Sequence, residues 1–200
     1  MIVGGNHSLS LSGMNNDLLL SLVNQYVALD ETESAFLDSL ILARPCKRNE
    51  VLAQSGKSSR YMILVISGYV MTYYTDNEGA DHVVQFAGSG WWTGDQNSPA
   101  LYSTRALSDG EIILLPKAAQ DVLMERHIKF ERYFRHVFQH ALMRMQARFT
   151  ESHSTAEERY LSFRARYAAI EQHVPQKYIA SYLGITPEFL SKIRKKLLRS

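Results

Sequence analysis

Apolar positions along this chain change their period twice. In residues 16–42 they step by three and four. Leu18, Leu19, Leu22, Val23, Tyr26 and Val27 form one stripe; Phe36, Leu37, Leu40 and Ile41 form a second, behind a capping Asp30. That spacing predicts two amphipathic helices, the second over 31–42. Across 43–116 the pattern becomes short β-branched and aromatic runs at 61–66, 69–75, 82–86 and 111–115. Ser67-Gly68, Asp76-Asn77-Glu78-Gly79, Gly88-Ser89-Gly90 and Pro116 punctuate them. Short strands at this interval predict a β-sandwich, jelly roll or small barrel. Helical period then returns, first in a short piece over 118–124. Next come Phe130, Tyr133, Phe134, Val137, Phe138, Ala141, Leu142, Met145 and Phe149, with no Gly or Pro between them. A stripe this wide serves two surfaces, the carrying domain and a partner helix. Phe134, Val137, Phe138, Ala141, Leu142, Met145 and Phe149 are therefore the expected dimer interface. Residues 152–155 are the expected hinge, where Ser154 or Thr155 caps the next helix and Glu157 and Glu158 complement its first turn.

The last stretch, 174–199, has the pattern of a helix-turn-helix. Pro175 suits a helix start. Tyr178, Ile179, Tyr182 and Leu183 form an inward face, and small Ala180 admits a second helix closely. Gly184 suits the left-handed residue that closes the first helix. Thr186 caps the second, with Pro187 in its first turn. Phe189, Leu190, Ile193 and Leu197 are expected to be buried, leaving Glu188, Ser191, Lys192 and Lys195 outward. In a DNA groove, Glu188 would accept from a cytosine amino group and Lys192 would donate to guanine, with Thr186 and Ser191 as adaptable donors. Gln176, Arg194, Lys195, Lys196 and Arg199 would grip phosphates.

Charge distribution supports that placement. The net charge of +2 hides an asymmetry: from Thr155 to Ser200 nine cations face four anions, a surplus of five, so the remainder is at minus three. A polyanion-binding module attached to a mildly acidic one has this signature. The rest of the composition narrows the class. No apolar run approaches a membrane span, and the start carries no export signal; residues 1–14 read as a flexible polar tail, with Met14 an alternative start. A single cysteine, Cys46, allows no internal disulfide, iron–sulfur cluster or Cys-based zinc site and fits the cytoplasm. His136 and His140 lie four apart without a third ligand, and His82 stands alone, so no metal site is expected. No phosphate loop, nucleophile triad or paired catalytic carboxylates stand out, and neither enzyme activity nor a cofactor is expected.

With these zones in this order, the chain resembles the Crp/Fnr family of bacterial transcription regulators, most closely the short forms of Bacteroidetes-type bacteria. The likeness runs from about residue 16 onward. It is carried by Gly68, Thr75-Asp76 before Gly79, the run 90–95 (GWWTGD), 106–109 (ALSD), 156–160 (AEERY) and, most specifically, 175–196. It implies an α+β chain: a double-stranded β-helix, the jelly-roll domain of the cyclic-nucleotide-binding type, over 15–125; a dimerisation helix and hinge over 126–153; and an all-α DNA-binding domain over 154–200. It further implies a homodimer on a pseudo-palindromic site, with RNA polymerase as a partner. Family members that bind cyclic nucleotides open their phosphate cassette with Gly-Glu and follow with an Arg-Ser or Arg-Thr pair. Here Gly94-Asp95 takes the first place, the loop 96–104 is short, and Ala100 or Leu101 falls near the second. Arg105 aligns with the following strand. A buried phosphate with no cation would be strongly unfavourable, so tight binding of cyclic AMP or cyclic GMP is not expected. Many members also carry a β-hairpin wing after the recognition helix, which this chain does not show before Ser200; the resemblance then implies either fewer phosphate contacts or a short C-terminus proper to this branch.

The residues therefore point to a sequence-specific, homodimeric transcription regulator with a degenerate nucleotide pocket. One alternative is a regulator gated by another small molecule, in a remodelled pocket at Trp91, Trp92, Gly94, Asp95 and Arg105. A further alternative is a β-barrel enzyme with a helical tail.

Overall fold

A computed structural model of the chain describes residues 9–198, with side chains from Asn16. Helix α1 (Leu9–Asn24) begins inside the stretch expected to be a tail; its sequence contains Gly13 but no Pro, the one residue that would forbid helix outright. Residues 1–8 lie outside the described residues, as does Arg199. Helix α2 (Glu31–Leu40) is closed at its start by a capping box between Asp30 and Glu33. It ends at extended Ile41, two residues short of the expected end, because Leu42 already pairs as a strand.

Eight strands follow: β1 (Leu42–Cys46), β2 (Val51–Ala53), β3 (Tyr61–Ser67), β4 (Val70–Thr75), β5 (Asp81–Ala87), β6 (Trp92–Thr93), β7 (Ser103–Ala106) and β8 (Gly110–Pro116). They form two antiparallel four-stranded sheets, ordered β1-β8-β3-β6 and β2-β7-β4-β5. The patterning explains the stacking. On β3 and β8 alternate residues serve opposite faces: Ile63, Val65, Ile112 and Leu114 meet Val70, Ala87 and Ala106 of the second sheet. Met62, Leu64, Ile113 and Leu115 point the other way, under helices. Burial on both faces is why these strands read as unbroken apolar runs. Strand β1 holds Pro45, whose missing N–H is tolerated because β1 is an edge strand.

Helices α3 (Lys117–Arg126) and α4 (Ile128–Glu151) lead out of the roll. With α1 and α2 they cover the first sheet through Leu19, Val23, Leu37, Leu123, Phe130, Tyr133 and Phe134. The turn after α4 leads to α5 (Ala156–His173), capped by Thr155 in a second capping box with Glu158 and kinked at Tyr167. Helices α6 (Gln176–Leu183) and α7 (Pro187–Leu197) complete the chain.

The C-terminal helices fold back onto the outer face of the second sheet. Met71, Tyr73, Val83 and Phe86 of that sheet share one core with Tyr160, Phe163, Tyr167, Ile179 and Tyr182 of α5 and α6. Ser181 of α6 closes the free edge of β5: its hydroxyl accepts from Val83 N at 2.9 Å and donates to Asp81 O at 3.0 Å. An edge strand otherwise leaves such groups open to unwanted pairing.

Candidate nucleic-acid interface

Helices α6 and α7 are set by local chemistry. Gly184 lies in the left-handed region (φ 66°, ψ 38°), and its N–H reaches the last carbonyls of α6. A Cβ there would meet nothing within 4 Å, so backbone strain alone selects glycine. Ile185 N then donates to Ala180 O at 3.0 Å and completes the cap. Thr186 Oγ1 accepts from Phe189 N at 3.2 Å and starts α7. Leu190 and Ile193 are buried in the core that contains Ile179, Ala180 and Leu183.

On the outer side of α7, Glu188, Lys192 and Lys195 are exposed and Ser191 is half-buried. Lys192 and Lys195 make no ion pair among the described residues. Hydrogen bonds from the backbone N–H of Glu188 and from Thr186 hold the Glu188 carboxyl below the ordinary range, so it is ionised at neutral pH. Gln176, at the start of α6, accepts from Ser191 at 3.4 Å and lies beside this face.

Three expectations about these helices need correction. Phe189 is 47% exposed and belongs to no core. At about 100° per residue it sits a full step from Leu190, towards Lys192. Arg194 does not face outward: its side chain, 22% exposed, bonds Tyr160 Oη at 3.0 Å and Glu171 at 3.1 Å, tying α7 to α5. Charge in the sequence marks a cation, but only packing tells whether a carboxylate already holds it. Lys196 is exposed but bridges to Glu157.

Helix α4 divides its stripe between two surfaces. Phe134 is 1% exposed, packed edge-on to Trp92 and Tyr133 inside its own protomer, and Val137 joins the same core. Neither supplies open interface, contrary to expectation, because the first sheet reaches them first. Ala141 is half-buried. Phe138, Leu142, Met143, Met145 and Phe149 are exposed, Leu142 by 55% and Phe149 by 72%.

Of the five residues expected to line a small-molecule pocket, Trp91 and Trp92 border one cavity with Tyr133 and Arg144, whereas Gly94, Asp95 and Arg105 lie outside it. Trp91 packs against Tyr167 of α5 and lies under the guanidinium of Arg144. Trp92 is buried beneath α4 and donates to Tyr133 Oη at 2.9 Å. Gly94 has φ 118°, and a Cβ there would come within 3.1 Å of Tyr61 O. Arg105 belongs to β7 and turns to the outer face of the second sheet, where it pairs with Asp81 at 3.1 Å and lies over Tyr73. Asp95 is 5% exposed and fully engaged. One carboxylate oxygen accepts from Asn97 N at 2.8 Å and Asn97 Nδ2 at 2.7 Å, the other from Leu101 N at 2.5 Å and Tyr102 N at 2.9 Å. Sequence spacing placed these residues on one loop and strand but could not say which way each side chain turns.

Burial alone would raise the Asp95 carboxyl, yet the bonds from Asn97, Tyr102 and Leu101 outweigh it and hold the group below the usual carboxylate range. A depressed folded value means stability that is present above the unfolded pKa of about 3.9 and lost as pH falls through the folded one. Asp95→Asn turns an amide towards N–H donors and should cost about 1–3 kcal/mol at pH 7. Melting curves of both proteins should converge as the pH drops below about 4; a gap that persists unchanged to pH 3 would contradict this role.

No helix among the described residues is long and apolar enough to cross a membrane. Residues 43–127 match the family model of the cyclic nucleotide-binding domain. No curated protein matches the chain in sequence. Among solved structures, the chain is similar to FixK2 from Bradyrhizobium japonicum, at 17% identity and TM-score 0.73 over 80% of this chain and 85% of that one. A crp/fnr-family transcriptional regulator from Eubacterium rectale aligns at 14% identity and TM-score 0.67, over 85% and 84% of the two chains. The c-di-GMP responsive global regulator CLP from Xanthomonas campestris aligns at 14% identity and TM-score 0.66, over 85% of this chain and 92% of its own. Residues 43–127 are thus similar to the cyclic nucleotide-binding domain, and the chain shares its fold with these solved structures.

Proposed function

We propose that the chain is a homodimeric transcription regulator that binds DNA in a sequence-specific manner. Helices α6 and α7 act as a helix-turn-helix, with RNA polymerase as the downstream partner. One observation carries this reading: α7 buries Leu190 and Ile193 against the core while Glu188, Ser191, Lys192 and Lys195 stand on its opposite side, clear of the β-roll. Such a helix can enter a major groove without rearranging the protomer. The exposed row Phe138, Leu142, Met145 and Phe149 on α4 supports a two-fold partner. Two copies would then present two α7 helices to a pseudo-palindromic site.

Base reading falls to Glu188 and Lys192, with Ser191 and Thr186 beside them. Phosphate contacts fall to Gln176 and Lys195, and to Lys196 once it releases Glu157. Fragments selected from random DNA should converge on a two-fold motif. On single-base variants of that motif, Lys192→Ala should flatten preference at one position per half-site, by about 1–3 kcal/mol. Lys195→Ala should weaken all variants about equally and lower the salt dependence. Parallel losses for both would refute the assignment, and no enrichment at all would refute DNA binding.

The β-roll in this reading does not hold a cyclic nucleotide tightly. The amides of Leu101 and Tyr102 already serve Asp95 and are not free to cradle a phosphate, and Arg105 turns to the outer face of the second sheet. Calorimetry with cyclic AMP and cyclic GMP should give no micromolar affinity; a micromolar constant for either would overturn this.

A further inference from the structure

A half-exposed phenylalanine on the cationic side of α7 packs into no core among the described residues. Phe189 makes no ring contact among the described residues and joins none of the apolar cores. It follows Glu188 and precedes Lys192 by three positions, which places it about 60° from Lys192 around the helix. Lys196, seven residues on, lies about 20° from it. An apolar ring set among cations suits an occupant with an anionic backbone and an apolar point at groove level.

We propose that Phe189 reads sequence by contacting the 5-methyl group of a thymine in the major groove. This rests on the DNA-binding reading of α7. The chemistry selects the base. Thymine alone among the four bases shows an apolar group at its major-groove edge, whereas the other edges present hydrogen-bond donors and acceptors that a phenyl ring cannot satisfy. The position selects the role. Phe189 is in the first turn of α7, and the first turns of a recognition helix meet base edges while later residues reach the backbone. Side by side, Glu188, Phe189 and Lys192 would read a cytosine amino group, a thymine methyl and a guanine edge. Each half-site should therefore contain a thymine within a base pair or two of the G·C pair read by Lys192.

Replacing thymine by deoxyuridine removes the methyl and leaves every hydrogen-bonding edge in place. On the selected motif, deoxyuridine at the read position of one half-site alone should weaken the wild-type protein about fourfold, the worth of one buried methyl-sized group. Substituting both half-sites should weaken it about fifteenfold. Phe189→Ala should bind the thymine and deoxyuridine duplexes equally, while keeping its discrimination at the position read by Lys192. Phe189→Leu should retain part of the methyl preference. The proposal fails if no thymine is methyl-sensitive in the wild type, or if Phe189→Ala keeps the full sensitivity. It also fails if Phe189→Ala changes the oligomeric state, which would place the ring in a protein contact. A chain that enriches no DNA overturns the underlying reading as well; one that binds its motif with no methyl dependence overturns the role of Phe189 alone.

Discussion

Phe86→Ala is expected to destabilise the chain by about 3–5 kcal/mol and to loosen the C-terminal helices more than either sheet. Phe86 is fully buried on β5. Its ring lies 6.1 Å from Phe163, 6.1 Å from Tyr167 and 5.4 Å from Tyr182, so three of its ring neighbours belong to α5 and α6. Truncation leaves a cavity where the β-roll meets the C-terminal unit, and aromatic pairs add to the loss beyond buried area. Polar contacts hold the same seam. From α4, Arg148 Nη2 donates to Tyr182 O at 2.8 Å and to Val83 O at 3.3 Å, and its guanidinium lies 3.7 Å from the centre of the Tyr182 ring. Arg159 Nε donates to Leu183 O at 3.0 Å. The last carbonyls of α6 are thus satisfied by arginines of its neighbours, as a helix end requires. Hydrogen exchange should show α5 and α6 amides opening in Phe86→Ala at conditions where β3 and β8 remain protected. Uniform acceleration across both regions would mean that the seam is no separate unit. In a regulator this seam would set the direction in which α7 points.

Leu142→Glu is expected to separate the proposed dimer and to weaken the proposed operator binding by at least tenfold. Leu142 sits mid-row between Phe138 and Met145, with Phe149 beyond. At a two-fold contact the same residue comes from both copies. A glutamate there would bring two like charges into an apolar seam whose neighbouring cation, Arg135, already pairs with Glu131, at several kcal/mol. A protomer-sized particle in light scattering, with the helical content retained, is the expected result. A variant that stays dimeric would move the interface elsewhere. The loss of affinity follows because a monomer engages one half-site where a dimer engages two.

Much of the architecture was legible along the chain because its causes are local. The capping boxes at Asp30 and Thr155, the left-handed Gly184 and the Thr186-Pro187 start of α7 each act within a few residues, and each lies where its sequence neighbours place it. The runs of β3 and β8 were readable for a related reason, since burial on both faces writes itself as continuous apolar sequence. Strands β1, β6 and β7 were not readable. Pro45 and Arg44 interrupt the first, the second is two residues long, and Ser103, Thr104 and Arg105 fill the third with polar groups. Their pairing partners, not their composition, make them strands.

Direction and partnership, by contrast, were decided only in three dimensions. Hydrophobic period marks Phe134 and Phe149 alike, yet the first sheet buries one and leaves the other open. Nothing local distinguishes Arg194, held by Glu171 and Tyr160, from Lys192, which has no such hold among the described residues. Asp95 matches a ligand-binding acid in position and is consumed by its own loop. Phe86 carries no mark of the helices that close over it 77 residues and more later in the chain. By itself, then, the sequence determined the order of its helical and strand-rich zones, the turn between α6 and α7 and the basic C-terminal stretch, because backbone preference and charge are properties of residues and their near neighbours. The tertiary structure alone decided which apolar and charged groups remain available, because availability is set by what packs against a side chain from distant parts of the chain.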